Sequence, residues 1–188
     1  MAEALKYGDR IHLQNAYGNW GGGYLDTNGQ SSATGALYGV STADSPARGT
    51  GTGTWEIASA AGKATGTPVA SGDLITLRNC YSAGSYLDTN GPAAAAQKKA
   101  GGKYDVSAAK NADRGTGTAE WRIFAQTSAP QDAVVHVGDT VHLWNTYGGN
   151  GGFLETNGVG PAGGKYDVCT NAYYNRTGNV ADWRISAA

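Results

Sequence analysis

One phrase occurs three times in this chain, as "GGYLDTNG" at Gly22–Gly29, "GSYLDTNG" at Gly84–Gly91 and "GGFLETNG" at Gly151–Gly158. Three further phrases recur around it in a constant order. Each unit opens with a Gly-Asp pair, continues through a Tyr-x-Val phrase and closes with Trp-x-Ile. Repetition of several phrases in one order indicates that a single structural unit is used three times. We place the units at about 7–60, 70–127 and 135–188, within a single domain covering residues 1–188.

Within each unit, apolar and polar residues alternate with a period of two, which is typical of half-buried strands. In "RIHLQN", for example, Ile11 and Leu13 lie on one side of an extended chain and the residues between them on the other. Gly, Asn, Asp and Pro clusters separate such runs, as turns require. No pattern of helical period has useful length, so we predict four strands in each unit and twelve in all.

A unit of this size has an apolar face that it cannot bury alone. Three units that close on one another bury this face and leave no long free sheet edge. Burial of a large apolar side chain contributes about 1.5–3 kcal/mol, so the predicted core is the main stabilising feature. It comprises Ile11, Leu13, Trp55, Ile57, Ile75, Leu77, Trp121, Ile123, Val141, Leu143, Trp183 and Ile185.

From Tyr7 to Ser186 the sequence resembles the β-trefoil lectins and their fascin-like and MIR-type relatives, because it has three tandem four-stranded units with a late aromatic-x-Ile strand. The resemblance implies an all-β fold, a β-trefoil with pseudo-threefold symmetry. The ricin-B type carries a Gln-x-Trp signature, whereas here threonine, glutamate or aspartate precedes the closing tryptophan. The sugar-binding residues of that subfamily are therefore not transferred.

Composition excludes several classes of partner and activity. The formal net charge is −1 and no basic stripe is present, so we expect no nucleic-acid partner. No apolar run approaches the roughly 18 residues of a membrane span. The N-terminal residues lack the apolar region of a signal peptide, which predicts a protein that is cytoplasmic or released without one. No nucleophile, metal-ligand or cofactor motif is present, and we expect no catalytic residue, no metal and no cofactor.

The repeated phrase also contains the candidate binding residues. By alternation, an aromatic residue, a carboxylate and an amide share the outer side of the strand. A ring packs on the C–H face of a sugar, a carboxylate accepts strong hydrogen bonds, and an amide both donates and accepts. A nearby Asn-x-Tyr segment adds another amide and ring. The predicted carbohydrate-binding residues are Asn15, Tyr17, Tyr24, Asp26 and Asn28 in unit 1, Asn79, Tyr81, Tyr86, Asp88 and Asn90 in unit 2, and Asn145, Tyr147, Phe153, Glu155 and Asn157 in unit 3.

Trp20, which lies among glycines without an aromatic counterpart, is a further ligand candidate. The carboxylates also have a second interpretation as scaffold, in which they pair with the recurring Arg48, Arg114 and Arg176. Both interpretations stay open at this point.

We predict a multivalent lectin with one shallow saccharide site per unit, whose partners are glycans or glycoconjugates. Several weak sites on one glycan-bearing surface raise avidity by about 10²–10⁴. By analogy of fold, a role in defence or toxicity to insects follows. The sugar and the choice between monomer and homodimer are not readable. Two alternatives are a protease inhibitor acting through the loop at 92–103, and a fascin-like structural or interaction module.

Overall fold

The computed structural model describes residues 2–127 and 132–188, and its regular structure is almost entirely β. Besides the strands it contains a four-residue turn, α1 (Tyr17–Trp20), one short helix, α2 (Ala95–Lys99), and a 3-10 turn at Tyr147–Gly149. The strands are β1 (Arg10–Asn15), β2 (Tyr24–Gln30), β3 (Ala36–Ala43), β4 (Trp55–Ser59), β5 (Leu74–Asn79), β6 (Ser85–Pro92), β7 (Tyr104–Ala109), β8 (Trp121–Gln126), β9 (Thr140–Asn145), β10 (Gly152–Val159), β11 (Tyr166–Asn171) and β12 (Trp183–Ala187). The prediction of four strands per unit is confirmed within the described residues.

The arrangement of these strands differs from the prediction. All twelve join one antiparallel sheet, in which ten strands form a closed circuit and β4 and β10 bridge between its members. The units are not self-contained, because the last strand of one unit pairs with the first strand of the next, as in β4–β5, β8–β9 and β12–β1. The predicted β-trefoil of three tandem four-stranded units is wrong, and the fold is a closed ten-stranded antiparallel barrel with two additional strands.

The predicted core is confirmed. All twelve side chains named for it are buried, none more than 1% exposed, and they belong to one cluster that also includes Leu25, Leu87 and Leu154. Each closing tryptophan donates its indole N–H to the carbonyl of one of these leucines, at 2.9–3.0 Å. A buried indole N–H needs such a partner. These bonds fix β2, β6 and β10, the strands that carry the repeated phrase, against the core.

The turns at the start of each unit also follow the sequence. Asp9, Asp73 and Asp139 each accept a hydrogen bond from the backbone N–H three residues earlier, at 2.8–2.9 Å. A short carboxylate at this position stabilises a turn through its own backbone. Because the same cap recurs, each unit enters its first barrel strand in the same way.

The segment at 92–103 is not an extended loop. It folds into α2, whose Gln97 is buried and donates its side-chain amide to Asp105 at 3.1 Å and to Asp167 at 2.9 Å. The segment is thereby fixed to β7 and β11. Lys98 and Lys99 are exposed at the end of α2, and the protease-inhibitor interpretation stays a prediction.

Candidate functional site

The three carboxylates of the repeated phrase are buried, which corrects the prediction that they face solvent. Asp26, Asp88 and Glu155 have no exposed surface. Each pairs with the arginine of its own unit, at 2.5 Å for Arg48 and 2.6 Å for Arg114, and Arg176 makes the same contact. The scaffold interpretation is confirmed for these residues, and they are not available to a ligand.

Burial also alters the chemistry of these acids. It raises the pKa of Asp88 and of Glu155 above the ordinary values, and the adjacent guanidinium groups oppose this only in part. One oxygen of each carboxylate binds the arginine, whereas the other has no hydrogen-bond partner. Each arginine extends from this buried anchor to the surface, with 26–35% of its side chain exposed.

The asparagines of the Asn-x-Tyr segments are also scaffold. Asn15, Asn79 and Asn145 are fully buried. Each donates its amide to a backbone carbonyl of another loop at 2.8 Å, and its oxygen accepts the backbone N–H of the tyrosine two residues later at 3.0 Å. These side chains cannot contact a ligand, but they fix the position of the tyrosines.

Those tyrosines are the predicted residues that reach the surface. Tyr17, Tyr81 and Tyr147 are 40%, 38% and 40% exposed. Each forms an edge-to-face pair with a tyrosine of a neighbouring unit. The pairs are Tyr17–Tyr166 at 5.2 Å, Tyr81–Tyr38 at 5.3 Å and Tyr147–Tyr104 at 5.4 Å between ring centroids. The candidate site therefore lies at the seams between units, whereas the sequence predicted it within each unit.

One seam opens into a cleft of about 230 Å³. Its walls include both rings of the Tyr17–Tyr166 pair, together with Arg176 and Asn157. Asn157 is largely buried, and its amide donates to Glu155 and to the carbonyl of Gln97. The repeat-equivalent tyrosine pairs lie at the other two seams, Tyr81–Tyr38 and Tyr147–Tyr104. We call the three seams the tyrosine clefts, after the cavity at the first of them.

The remaining amides of the repeated phrase connect neighbouring units. Asn28 donates to the carbonyl of Ala162 and Asn90 to that of Thr34, both at 3.2 Å. Each bond holds the hairpin loop of the preceding unit around the barrel close to the seam. These amides thus position the walls of the clefts.

The other predicted aromatic residues lie elsewhere. Tyr24, Tyr86 and Phe153 are half-buried on the outer face of the barrel strands. Trp20 is half-buried beneath the guanidinium of Arg184, which lies 3.6 Å from its ring centre. The structure does not bring these residues into the tyrosine clefts.

Sequence reasoning missed Tyr38, Tyr104 and Tyr166 as surface residues. Each begins a Tyr-x-Val phrase, and alternation assigns both members of such a phrase to the core side. The valines are indeed buried, but the tyrosines are half-buried and pack against the ring of the neighbouring unit. The sequence signal that could have identified them is their recurrence, since each unit has one such tyrosine and one tyrosine in its Asn-x-Tyr segment.

Among the described residues, no helix is long and apolar enough to cross a membrane. The same part of the chain contains no group of three or more histidine, cysteine, aspartate or glutamate residues placed to hold a metal ion.

No protein-family model matches this chain, and no curated protein matches its sequence. Among solved structures, the SDF2-like protein from Arabidopsis thaliana is similar with a TM-score of 0.74 and 17% identity, over 97% of this chain and 94% of that one. A ricin B-like lectin from Macrolepiota procera, in complex with lactose, has a TM-score of 0.56 and 17% identity, over 98% of this chain and 99% of that one. The botulinum neurotoxin serotype D binding domain has a TM-score of 0.65 and 14% identity, over 97% of this chain and 42% of that one. These neighbours have folds of the β-trefoil type, and at such identities the likeness concerns fold alone.

Proposed function

We propose that this protein is a carbohydrate-binding protein whose saccharide sites are the three tyrosine clefts. The observation that carries the proposal is the recurrence, at each seam, of a tyrosine pair with one exposed and one half-buried ring and a nearly constant ring separation. The similarity in fold to a lectin solved with lactose supports the same class of ligand. The proposed role is binding, with no catalytic step.

The chemistry of the Tyr17–Tyr166 cleft suits a sugar. An exposed phenol ring offers a flat apolar surface, and its hydroxyl is both donor and acceptor. Arg176 presents part of its guanidinium at the cleft while its anchor on Glu155 limits its movement. A cleft of about 230 Å³ is smaller than the roughly 300 Å³ at which pockets for drug-sized ligands begin, so it takes one sugar ring at a time.

Triplication strengthens such binding. A shallow polar site competes with water and binds weakly when it acts alone. Three sites on one barrel raise avidity for a glycan-bearing surface by about 10²–10⁴ where the spacing permits simultaneous contact. Multivalency is thus the functional reason that we propose for the repeat.

Glycan-array binding of the triple variant Tyr17→Ala/Tyr81→Ala/Tyr147→Ala tests the proposal. We expect the array signal of the native protein to disappear, and each single variant to lose part of it because only one of three sites is removed. Tyr173→Ala is the matched control, because Tyr173 is an exposed tyrosine in unit 3 that lines none of the clefts. Its signal should equal that of the native protein.

Thermal unfolding of every variant shows whether a lost signal reflects unfolding. A native array signal that survives in the folded triple variant, or that falls equally in the Tyr173→Ala control, would contradict the tyrosine clefts as the sites. A native protein without affinity for any glycan would contradict the function itself.

A further inference from the structure

The outer face of unit 3 contains a cluster of three aromatic rings, which we call the aromatic niche. The ring of Tyr174 packs against His142 at 5.0 Å and against Phe153 at 5.6 Å between centroids. His142 is held on its other side by the carbonyl of Ala181 and is only 8% exposed. Tyr174 therefore lies on the face formed by β9 and β10, with about half of its surface in solvent.

Alignment of the units on their arginines shows what occupies this position elsewhere. Tyr174 lies two residues before Arg176, and the residues at the same offset are Ala112 in unit 2 and Pro46 in unit 1. Neither can supply a ring of the same reach. Units 1 and 2 thus lack the ring that Tyr174 adds to the niche in unit 3.

Both units have an open groove at this place, each of about 520 Å³. The groove of unit 1 is lined by His12 and Pro46, the counterparts of His142 and Tyr174. The groove of unit 2 is lined by Tyr86 and Ala112, the counterparts of Phe153 and Tyr174. In unit 3 the chain places its own phenol ring at this position, on His142 and Phe153. The unit 2 groove has Thr76 in place of His142 and keeps the aromatic wall through Tyr86.

The charges of the unit 2 groove define the ligand further. Glu56, Asp113 and Glu120 line it, together with Arg78. Glu56 faces Arg78 across the β4–β5 pair and also lies 3.8 Å from Arg10. Asp113 and Glu120 form no ion pair with a described residue, and with three carboxylates against one guanidinium the lining has a net negative charge. A ligand with a positive charge beside its ring is favoured there.

We infer that the unit 2 groove binds a phenol ring that carries a neighbouring positive charge, as in a tyrosine next to a lysine or arginine of a protein partner. Tyr86 supplies the edge-to-face wall that Phe153 supplies in unit 3, and the carboxylates of Asp113 and Glu120 bind the cation. The site is separate from the tyrosine clefts and goes beyond the proposed saccharide binding.

Tyramine, which joins a phenol to an ammonium group, is the probe. Titration followed by backbone amide shifts in NMR spectra should saturate at about millimolar concentration, as expected for so small a ligand. The shifts should centre on Tyr86, Ala112 and Glu120. Ala112→Tyr, which supplies the ring that unit 3 carries at this offset, should remove the saturable shifts.

Two variants measure separately how much the ring of Tyr86 and the charge of Glu120 contribute to tyramine binding. Tyr86→Ala should weaken binding about two- to tenfold, the equivalent of one edge-to-face ring contact of about 0.5–1.5 kcal/mol. Glu120→Gln should weaken it by up to about fivefold, as for a partly exposed ion pair of up to about 1 kcal/mol. Tyr17→Ala is the control from the proposed saccharide site, because Tyr17 lines a cleft that shares no residue with the unit 2 groove, and it should bind tyramine like the native protein.

Three results would overturn the inference. The first is no saturable shift with tyramine, and the second is unchanged binding in a folded Ala112→Tyr variant. The third is equal binding of 2-cyclohexylethylamine or of a methyl pyranoside at the same amides, because the groove would then select no phenol. Loss of glycan-array signal in the tyrosine-cleft variants is measured separately, so failure of the saccharide proposal leaves this test intact.

Discussion

The buried acid–arginine pairs and the tyrosine pairs at the seams both occur once per unit, yet they do different things. The acids have no exposed surface and hold an arginine, whereas one tyrosine of each pair keeps about two fifths of its surface in solvent. Recurrence alone therefore does not identify a binding residue in a repeat protein. Burial and hydrogen-bond partners decide whether a repeated residue can bind a ligand, since a side chain whose hydrogen bonds are made inside the fold has none left for one.

Arg114→Ala should have the largest effect on stability. It leaves Asp88 as a buried carboxylate without its cation, and removal of one partner of a buried pair costs about 3–5 kcal/mol. Denaturant unfolding at neutral pH measures this loss. Because burial raises the pKa of Asp88, the carboxyl takes up a proton more readily in the folded state, and the loss should shrink as the pH falls towards 4.

The double variant Arg114→Leu/Asp88→Leu is the control for this prediction. It removes both charges, and most of the lost stability should return because no uncompensated charge remains buried. A loss below about 1 kcal/mol in Arg114→Ala, the size found for exposed ion pairs, would remove the distinction between the two kinds of repeated pair.

Asp105 and Asp167 sharpen the comparison, because these half-buried carboxylates are held by the Gln97 amide and not by a guanidinium. Burial raises the pKa of both above 3.8, and the charge of Asp105 raises that of Asp167 further. A raised pKa in the folded state means that stability is full at acidic pH and is lost as the pH rises through the folded pKa.

The variant Asp105→Asn/Asp167→Asn keeps an acceptor for Gln97 without the charge. We expect it to be more stable than the native protein at pH 7, by about 0.5–2 kcal/mol, the usual size of a stabilising change in charge. The advantage should vanish below pH 3.8, where the native carboxyls are protonated. Unfolding curves from pH 3 to pH 8 test this, and an advantage that does not depend on pH would contradict it.

Tyr147→Ala should reduce stability less than Arg114→Ala does. It removes one edge-to-face contact with Tyr104, which contributes about 0.5–1.5 kcal/mol, from a ring that is partly in solvent. The same unfolding assay measures the change, with Tyr173→Ala as the exposed control. A loss as large as that of Arg114→Ala would show that the tyrosine pairs are scaffold and would weaken the case for the tyrosine clefts.

The sequence alone determined the strands and the core. Alternation placed the twelve core side chains on the inner side, and the structure confirms every one, because a period of two leaves only one buried face on a half-buried strand. The turn carboxylates were equally readable, since a cap depends on neighbours within three residues.

Only the tertiary structure decided the partners across units and which polar residues reach solvent. The alternation along β2 predicts an outer position for Asp26. Its carboxylate is nevertheless buried against Arg48, and the local sequence pattern around Asp26 does not show this contact. Tyr17 and Tyr166 are far apart in the chain and meet only because the barrel closes. Local interactions determine the strand, turn or core preference of a residue, whereas closure of the sheet determines which distant residue it contacts. The tyrosine clefts and the unit 2 groove depend on those distant contacts.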